Sequence, residues 1–256
     1  MPAVRPVLVE ACVDSVRAAL AAQAGGAGRV ELCAGLVEGG TTPSEGTIAH
    51  ARERLDVPLF VLVRPRGGDF LYDADELAVV RRDVRRARLL GADGVVVGAL
   101  AADGRVDEAA IAGLVEEARP MRVTFHRAFD FARDPAEALE ALAALGVDRV
   151  LTSGGAATAL EGADALAELV RQAGGRLTIL AGGGVTAGNV ARVVEASGVT
   201  EVHLRGAERV ESRMRYRRPG VAVGRAYAPD DYAWEETSAE RIRAVVAACA
   251  QGRSQP

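Results

Sequence analysis

Two cysteines each follow a glutamate by two residues at the end of an apolar run. Glu10 and Cys12 lie in VLVEACV, and Glu31 and Cys33 lie in RVELCA. A carboxylate can move a proton or pair with a cation, and a thiolate binds soft metal ions such as Cu(I). Since side chains alternate faces along a strand, each glutamate shares a face with its cysteine. The four side chains form one site if both runs are strands whose ends meet.

The elements that would position these residues are short β-branched runs separated by longer stretches of helical period. Eight runs are predicted as strands: 7–13, 29–34, 59–65, 94–100, 122–129, 149–154, 178–184 and 201–206. Helices are predicted at about 14–24, 44–54, 75–90, 107–118, 134–145, 161–173, 188–196 and 238–250. Ser44, Asp107 and Asp134 stand where helix N-caps are expected.

Repeated βα units over 256 residues without a long linker predict an α/β fold with one domain, 1–256, built as a (β/α)8 TIM barrel. An open doubly wound sheet is the alternative, and it would want a glycine-rich dinucleotide fingerprint after the first strand. VEACVDS follows there instead. The core must be built from Ala, Val and Leu, because aromatic residues make up only 4% of the chain.

Polar side chains end most of the predicted strands, which is where TIM barrels carry their chemistry. The proton-transfer candidates are Glu10, Glu31 and His126. The anion-binding candidates are Arg64, Arg66, Arg127, Thr152, Ser153, His203 and the glycines Gly182, Gly183 and Gly184, whose turn leads into a helix. The alternatives are structural ion pairs for the charged residues and a tight βα turn for the glycines.

Cys12 and Cys33 are the metal-ligand candidates, because they fall at matching heights on adjacent strands and on the same face. Paired thiolates favour Cu(I) or another thiophilic ion over magnesium or calcium. The alternative is that both are small buried core residues, since the two lack a Cys-x-x-Cys spacing.

Charge and hydropathy exclude several other classes of protein. The formal net charge is −4 and the basic cluster SRMRYRR at 212–218 is short, so nucleic acid is not an expected partner. No run approaches the roughly 20 apolar residues of a membrane span, and the N-terminus lacks a signal-peptide layout. We therefore expect a cytoplasmic protein whose three cysteines are reduced.

Seven stretches, in order between residues 9 and 186, resemble the CutC family of copper homeostasis proteins. They are VEACVDSV, RVELCAGLVEGGTTPS, VLVRPRGGDFLYD, ADGVVVGAL, VTFHRAFD, RVLTSGG and AGGGVT. The resemblance implies a (β/α)8 barrel, a cytoplasmic homo-oligomer (dimer or tetramer) and copper binding with Cu(I) as the ion. Cys12 and Cys33 match the cysteines proposed to hold copper in the family.

Two functions are thus expected from different classes. The first is a copper-binding homeostasis protein with Cys12 and Cys33 as ligands. The second is a barrel enzyme that acts on a small anionic or phosphorylated metabolite by acid/base chemistry, although no reaction can be named. The segment 207–237 between the last strand and the last helix exceeds usual connection lengths, so we expect a lid or an oligomer contact there, with Trp234 as its anchor.

Overall fold

The computed structural model describes residues 6–221, 223 and 230–251. Eight parallel strands close into a barrel in sequential order, with β8 hydrogen-bonded to β1. The predicted TIM barrel is therefore confirmed, and the open sheet is wrong. The strands are β1 Leu8–Val13, β2 Arg29–Leu32, β3 Leu59–Leu62, β4 Gly94–Val97, β5 Arg122–Phe125, β6 Arg149–Thr152, β7 Thr178–Gly182 and β8 Glu201–Leu204.

A helix follows each barrel strand and packs on the outside. The helices are α1 Val16–Ala24, α2 Glu45–Arg54, α3 Ala74–Leu89, α4 Glu108–Ala118, α5 Pro135–Ala144, α6 Ala163–Ala173, α7 Val190–Ser197 and α8 Ala239–Gln251. The predicted N-caps are confirmed: Ser44, Asp107 and Asp134 each accept a hydrogen bond from a backbone N–H of the first turn. These bonds satisfy donors that a helix start otherwise leaves unpaired.

The strands alternate between a face covered by helices and a face inside the barrel. Ala11, Val30, Val61 and Val95 are fully buried in the main hydrophobic core, whereas Cys12, Cys33, Phe60, Leu62 and Val96 form a separate cluster. Small aliphatic side chains dominate the main core, as the composition predicts. The residues between them along each strand are left for the barrel interior.

Most predicted strands extend past the observed ones at their carboxyl ends. The prediction 122–129 is the largest discrepancy, because β5 ends at Phe125 and His126 caps a short 3-10 helix, Arg127–Phe131. The apolar pattern continues through this turn because Ala128 and Phe129 are buried under it. The polar residues that follow the strands accordingly stand on loops held by the barrel.

The segment 207–237 contains an antiparallel hairpin that the sequence did not predict. Its strands are β9 Ala207–Glu211 and β10 Ala233–Thr237, with Val210 opposite Trp234. Glu236 pairs with Arg17 of α1, which ties the base of the hairpin to the barrel wall. Trp234 is 45% exposed. Residues 222 and 224–229 lie outside the described part, and the lid or oligomer role stays a prediction.

Among the described residues, no helix has both the length and the apolar character that crossing a bilayer requires.

Candidate functional site

A cavity of about 120 Å3 opens at the carboxyl ends of the barrel strands. Eleven of the described residues line it, and seven of these are among the site residues predicted from the sequence. The predicted ones are Cys12, Glu31, Cys33, Arg64, His126, Arg127 and His203; the others are Gly39, Leu62, Phe70 and Leu151. The strand ends therefore converge as barrel topology requires.

Two thiols form part of the wall. The Cys12 and Cys33 Sγ atoms are 3.6 Å apart, and both side chains are buried. In the strand register the partner of Cys12 is Glu31, and Cys33 lies two residues further along the chain. The strands of a closed barrel are staggered, and this offset brings the two sulfurs together diagonally.

The two thiols differ in their acidity. The hydrogen bond from the Cys33 thiol and the contact with His203 together lower the pKa of Cys12 to about 5, against the opposing effect of burial. Burial and the neighbouring Cys12 thiolate raise the pKa of Cys33 well above its usual value. The pair therefore holds one thiolate and one thiol at neutral pH, with the negative charge on Cys12.

His203 connects the thiols to two carboxyl groups. Its Nδ1 lies 2.8 Å from Oε1 of Glu10, and its Nε2 lies 3.7 Å from Oε2 of Glu31. Burial opposes protonation of His203, but Cys12 and the two glutamates outweigh it and raise its pKa. Burial and the charge on Cys12 raise the pKa of Glu31 well above its usual value. A single orientation of the imidazole is thus fixed beside the thiolate.

Glu10 lies one layer below the cavity, within a buried ion-pair network. Burial raises its pKa, but the charge of Arg29 and the hydrogen bond with His203 overcome this and hold the pKa at about 2. Arg29 also donates to Glu201 at 2.5 Å, and Glu201 accepts from Arg149 at 2.7 Å. Sequence reasoning missed Arg29, although it shares a strand face with Glu31. Glu10 is therefore placed to orient the His203 ring rather than to contact a ligand.

His126 is 5% exposed and stands on the opposite wall. Its Nδ1 accepts a hydrogen bond of 3.1 Å from the backbone N–H of Ala128, so the neutral ring carries its proton on Nε2. Within the described residues this Nε2 is buried without a partner. Burial and the nearby charge of Arg64 lower the pKa of His126 to about 3. The ring is therefore a neutral donor at pH 7, not a group that titrates there.

Arg64 is held by backbone carbonyl groups. Its Nη1 donates to the carbonyls of Glu38 and Gly40 at 3.0 and 2.9 Å, and its Nη2 donates to that of Gly68 at 2.8 Å. The guanidinium also stacks 5.1 Å from the centre of the Phe70 ring. These contacts fix a positive charge in the cavity wall.

Three of the predicted anion-binding residues surround Asp130, whose side chain is 6% exposed. Arg127 donates to it through Nε at 2.7 Å, Thr152 through its hydroxyl at 2.5 Å, and Ser153 through its backbone N–H at 3.1 Å. Gly155 adds a further backbone donor at 3.2 Å. Thr152 and Ser153 thus donate hydrogen bonds to a carboxylate of the chain itself. Arg127 contacts both this carboxylate and the cavity.

The remaining predicted residues lie beside this group. Arg66 pairs with Glu76 at 2.5 Å and stacks 5.2 Å from the centre of the Tyr72 ring, away from the cavity lining. The turn Gly182–Gly184 packs closely against its neighbours, and its second and third residues have φ values of 107° and 66°. A Cβ at Gly182 would lie 3.3 Å from that of His203. Glycine here permits close packing of the strand ends.

The fold and the site define a class of protein: a TIM barrel with a paired-thiol centre in its mouth, above a buried ion-pair network. The family model described as the CutC family matches residues 7–208. The chain belongs to the CutC family.

Relatives across distant organisms agree with this membership. A copper homeostasis protein cutC homolog from Mus musculus is 48% identical over 236 residues, which cover 92% of this chain and 87% of that protein. A family protein CutC from Chromobacterium violaceum is 54% identical over 238 residues, with 93% and 96% covered. The crystal structure of the putative copper homeostasis protein CutC from Streptococcus agalactiae superposes with a TM-score of 0.74 at 34% identity, over 77% of this chain and 97% of that one.

More distant structures share the fold alone. N-(5'-phosphoribosyl)anthranilate isomerase from Pyrococcus furiosus superposes with a TM-score of 0.55 at 13% identity, over 96% of this chain and 99% of that one.

Proposed function

We propose that this protein binds Cu(I) for copper homeostasis, through the thiolates of Cys12 and Cys33. The observation that carries the proposal is the 3.6 Å separation of the two Sγ atoms in a buried wall. Soft sulfur ligands select Cu(I) over the hard cations that prefer oxygen. The names of the related proteins in mouse and bacteria point to the same metal.

The residues around the thiols fit such an ion. Cys12, Cys33 and an oxygen of Glu31 all lie within 4.8 Å of one another, as do donor atoms of Glu10, Glu31 and His203. Cys12 and Cys33 would hold the copper, while the buried surroundings limit access of water. Glu10 fixes the His203 ring through Nδ1, and the ring stabilises the Cys12 thiolate. This arrangement keeps one sulfur deprotonated before the ion arrives.

The alternative, an enzyme that moves protons with Glu10, Glu31 or His126, is less well supported. The pKa of Glu10 is held at about 2 by its ion pairs, and that of His126 is held at about 3 by burial and by Arg64. An efficient general acid or base at neutral pH has a pKa near 7. Glu31, whose pKa is raised, is the remaining candidate.

The test is a Cu(I) titration under anaerobic conditions with a colorimetric Cu(I) chelator as competitor. We expect one tightly bound Cu(I) per chain in the reduced protein, and its loss in the double variant Cys12→Ser/Cys33→Ser. Cys249→Ser is the matched control, because this third buried cysteine lies on α8, outside the cavity lining. Unchanged affinity in the double variant would disprove the ligand assignment.

We further propose that the protein works in the cytoplasm as a homo-oligomer, a dimer or tetramer. The support is the resemblance of the seven sequence stretches to the family. Light scattering coupled to size-exclusion chromatography tests the oligomer, and a monomeric mass would contradict it.

A further inference from the structure

Among the described residues, no carboxylate pairs with the charge of Arg64. Its side chain is buried, with 6% of the residue exposed, and its bonds run to three backbone carbonyls. Over the residues that the structure describes, Arg64 forms no ion pair, and its Nε is buried without a partner. Buried charges in proteins are usually paired with an opposite charge. An uncompensated guanidinium in a cavity wall therefore points to an anion from outside the chain.

His126 contributes a neutral donor to the same cavity. Its Nδ1 is occupied by the N–H of Ala128, so the hydrogen of Nε2 is left for another acceptor. Leaving such a buried donor unsatisfied is unfavourable. The charge of Arg64 is close enough to lower the pKa of this ring, and the two side chains both contact Phe70, at 5.1 Å and 5.0 Å between group centres. The two donor groups therefore stand on one side of the cavity.

Arg127 completes the set of donors. Its Nε and Nη2 donate to the carboxylate of Asp130 and the hydroxyl of Ser153, which holds the side chain in place, and neither hydrogen bond uses Nη1. The residue lines the cavity with 44% of its side chain exposed. The positive charge of Arg127 therefore acts both on Asp130 and on a ligand in the cavity.

We propose that this cavity binds a small oxyanion, a carboxylate or a phosphate, between the guanidinium groups of Arg64 and Arg127 and the Nε2–H of His126. Planar guanidinium groups suit both kinds of oxyanion. The volume of about 120 Å3 admits a ligand of only a few non-hydrogen atoms, which inorganic phosphate and acetate both satisfy. The inference goes beyond copper binding, because the three donors do not include either cysteine.

The experiment is isothermal titration calorimetry of the reduced, copper-free full chain at neutral pH, with inorganic phosphate in one series and acetate in another. We expect saturable millimolar or tighter binding of at least one anion. Binding of phosphate alone assigns the site to phosphate, and binding of acetate alone assigns it to carboxylates. Because copper is absent, the result is independent of the Cu(I) titration, and either proposal can fail without the other.

Variants tie the binding to the named donors. Arg64→Met, His126→Phe and Arg127→Gln should each weaken binding by about tenfold or more, since each removes one hydrogen bond to a charged ligand. His126→Gln, which keeps a donor, should recover part of the loss. The matched controls are His50→Gln and Arg85→Gln, which change an exposed histidine and an exposed, ion-paired arginine and should leave affinity unchanged.

Circular dichroism identifies any variant that fails to fold. Should Arg64→Met unfold because its three carbonyl contacts are lost, the His126→Phe and Arg127→Gln comparisons still decide the question. The proposal is overturned if neither anion binds the wild-type chain, or if affinity is unchanged in the folded variants.

Discussion

His126 makes the protein sensitive to mild acid. Its pKa is about 3 in the folded protein against 6.5 for the free side chain, because the ring is buried and lies near the charge of Arg64. The unfolded chain therefore binds a proton between these two values while the folded protein does not. The stability that this residue supports is fully present above pH 6.5 and falls as the pH drops toward 3.

The size of the effect follows from the two pKa values. Between pH 7 and pH 5 the free energy of unfolding should fall by about 2 kcal/mol on account of His126 alone. The pKa of His203 is raised instead, so its contribution is present at low pH and is lost as the pH rises. The wild-type curve alone mixes the two, and a comparison with His126→Gln isolates the first.

The assay is urea unfolding of the copper-free protein at pH 7, 6 and 5 in cationic buffers, which avoid adding an oxyanion. The glutamine introduced by His126→Gln can accept from the N–H of Ala128 and does not titrate. This variant should therefore lose about 2 kcal/mol less than wild type over this range. His50→Gln, at an exposed position, should follow the wild-type slope. Equal slopes for wild type and His126→Gln would refute the reasoning.

Three further substitutions, each measured by urea unfolding at pH 7, test a buried ion pair, a buried hydrogen-bond acceptor and a helix cap. Arg29→Leu leaves Glu10 without its buried partner and should cost about 3–5 kcal/mol, and adding Glu10→Gln should recover part of that; a loss below about 1 kcal/mol would contradict the network. Asp130→Ala removes the acceptor shared by Thr152 and Ser153 and should cost about 1–3 kcal/mol, whereas an unchanged midpoint would mean that water replaces it. Asp73→Ala destroys the capping box of α3 and should lower the free energy of unfolding by about 1 kcal/mol. An unchanged free energy of unfolding would contradict a stabilising role of this cap.

Local sequence patterns were sufficient to predict the order of strands and helices and the end of the barrel at which the site lies. Strand and helix order, the N-caps at Ser44 and Asp134, and the gathering of polar residues at one end of the barrel all follow from short-range periodicity and from parallel topology. The hairpin β9–β10 was missed because its strands are separated by more than 20 residues, and charged residues interrupt their apolar pattern.

Which side chains pair with one another inside the site could be read only from the tertiary structure. Arg66 and Arg64 share a strand face in the sequence, yet one meets Glu76 while the other is surrounded by carbonyls in the cavity wall. Which of two similar arginines lacks a counter-ion depends on how the following loop folds back. Residue type alone does not determine the conformation of that loop.

The sequence by itself determined that eight βα units form one barrel and that Glu-x-Cys pairs end its first two strands. Those features depend on alternation and on neighbours close in the chain. Only closure of the barrel decided which groups touch: it joins Glu10 to His203 across 193 residues, and the stagger of β1 against β2 brings Cys33 to Cys12. Contacts between distant strands are determined by shear and register, and these are properties of the whole closed sheet.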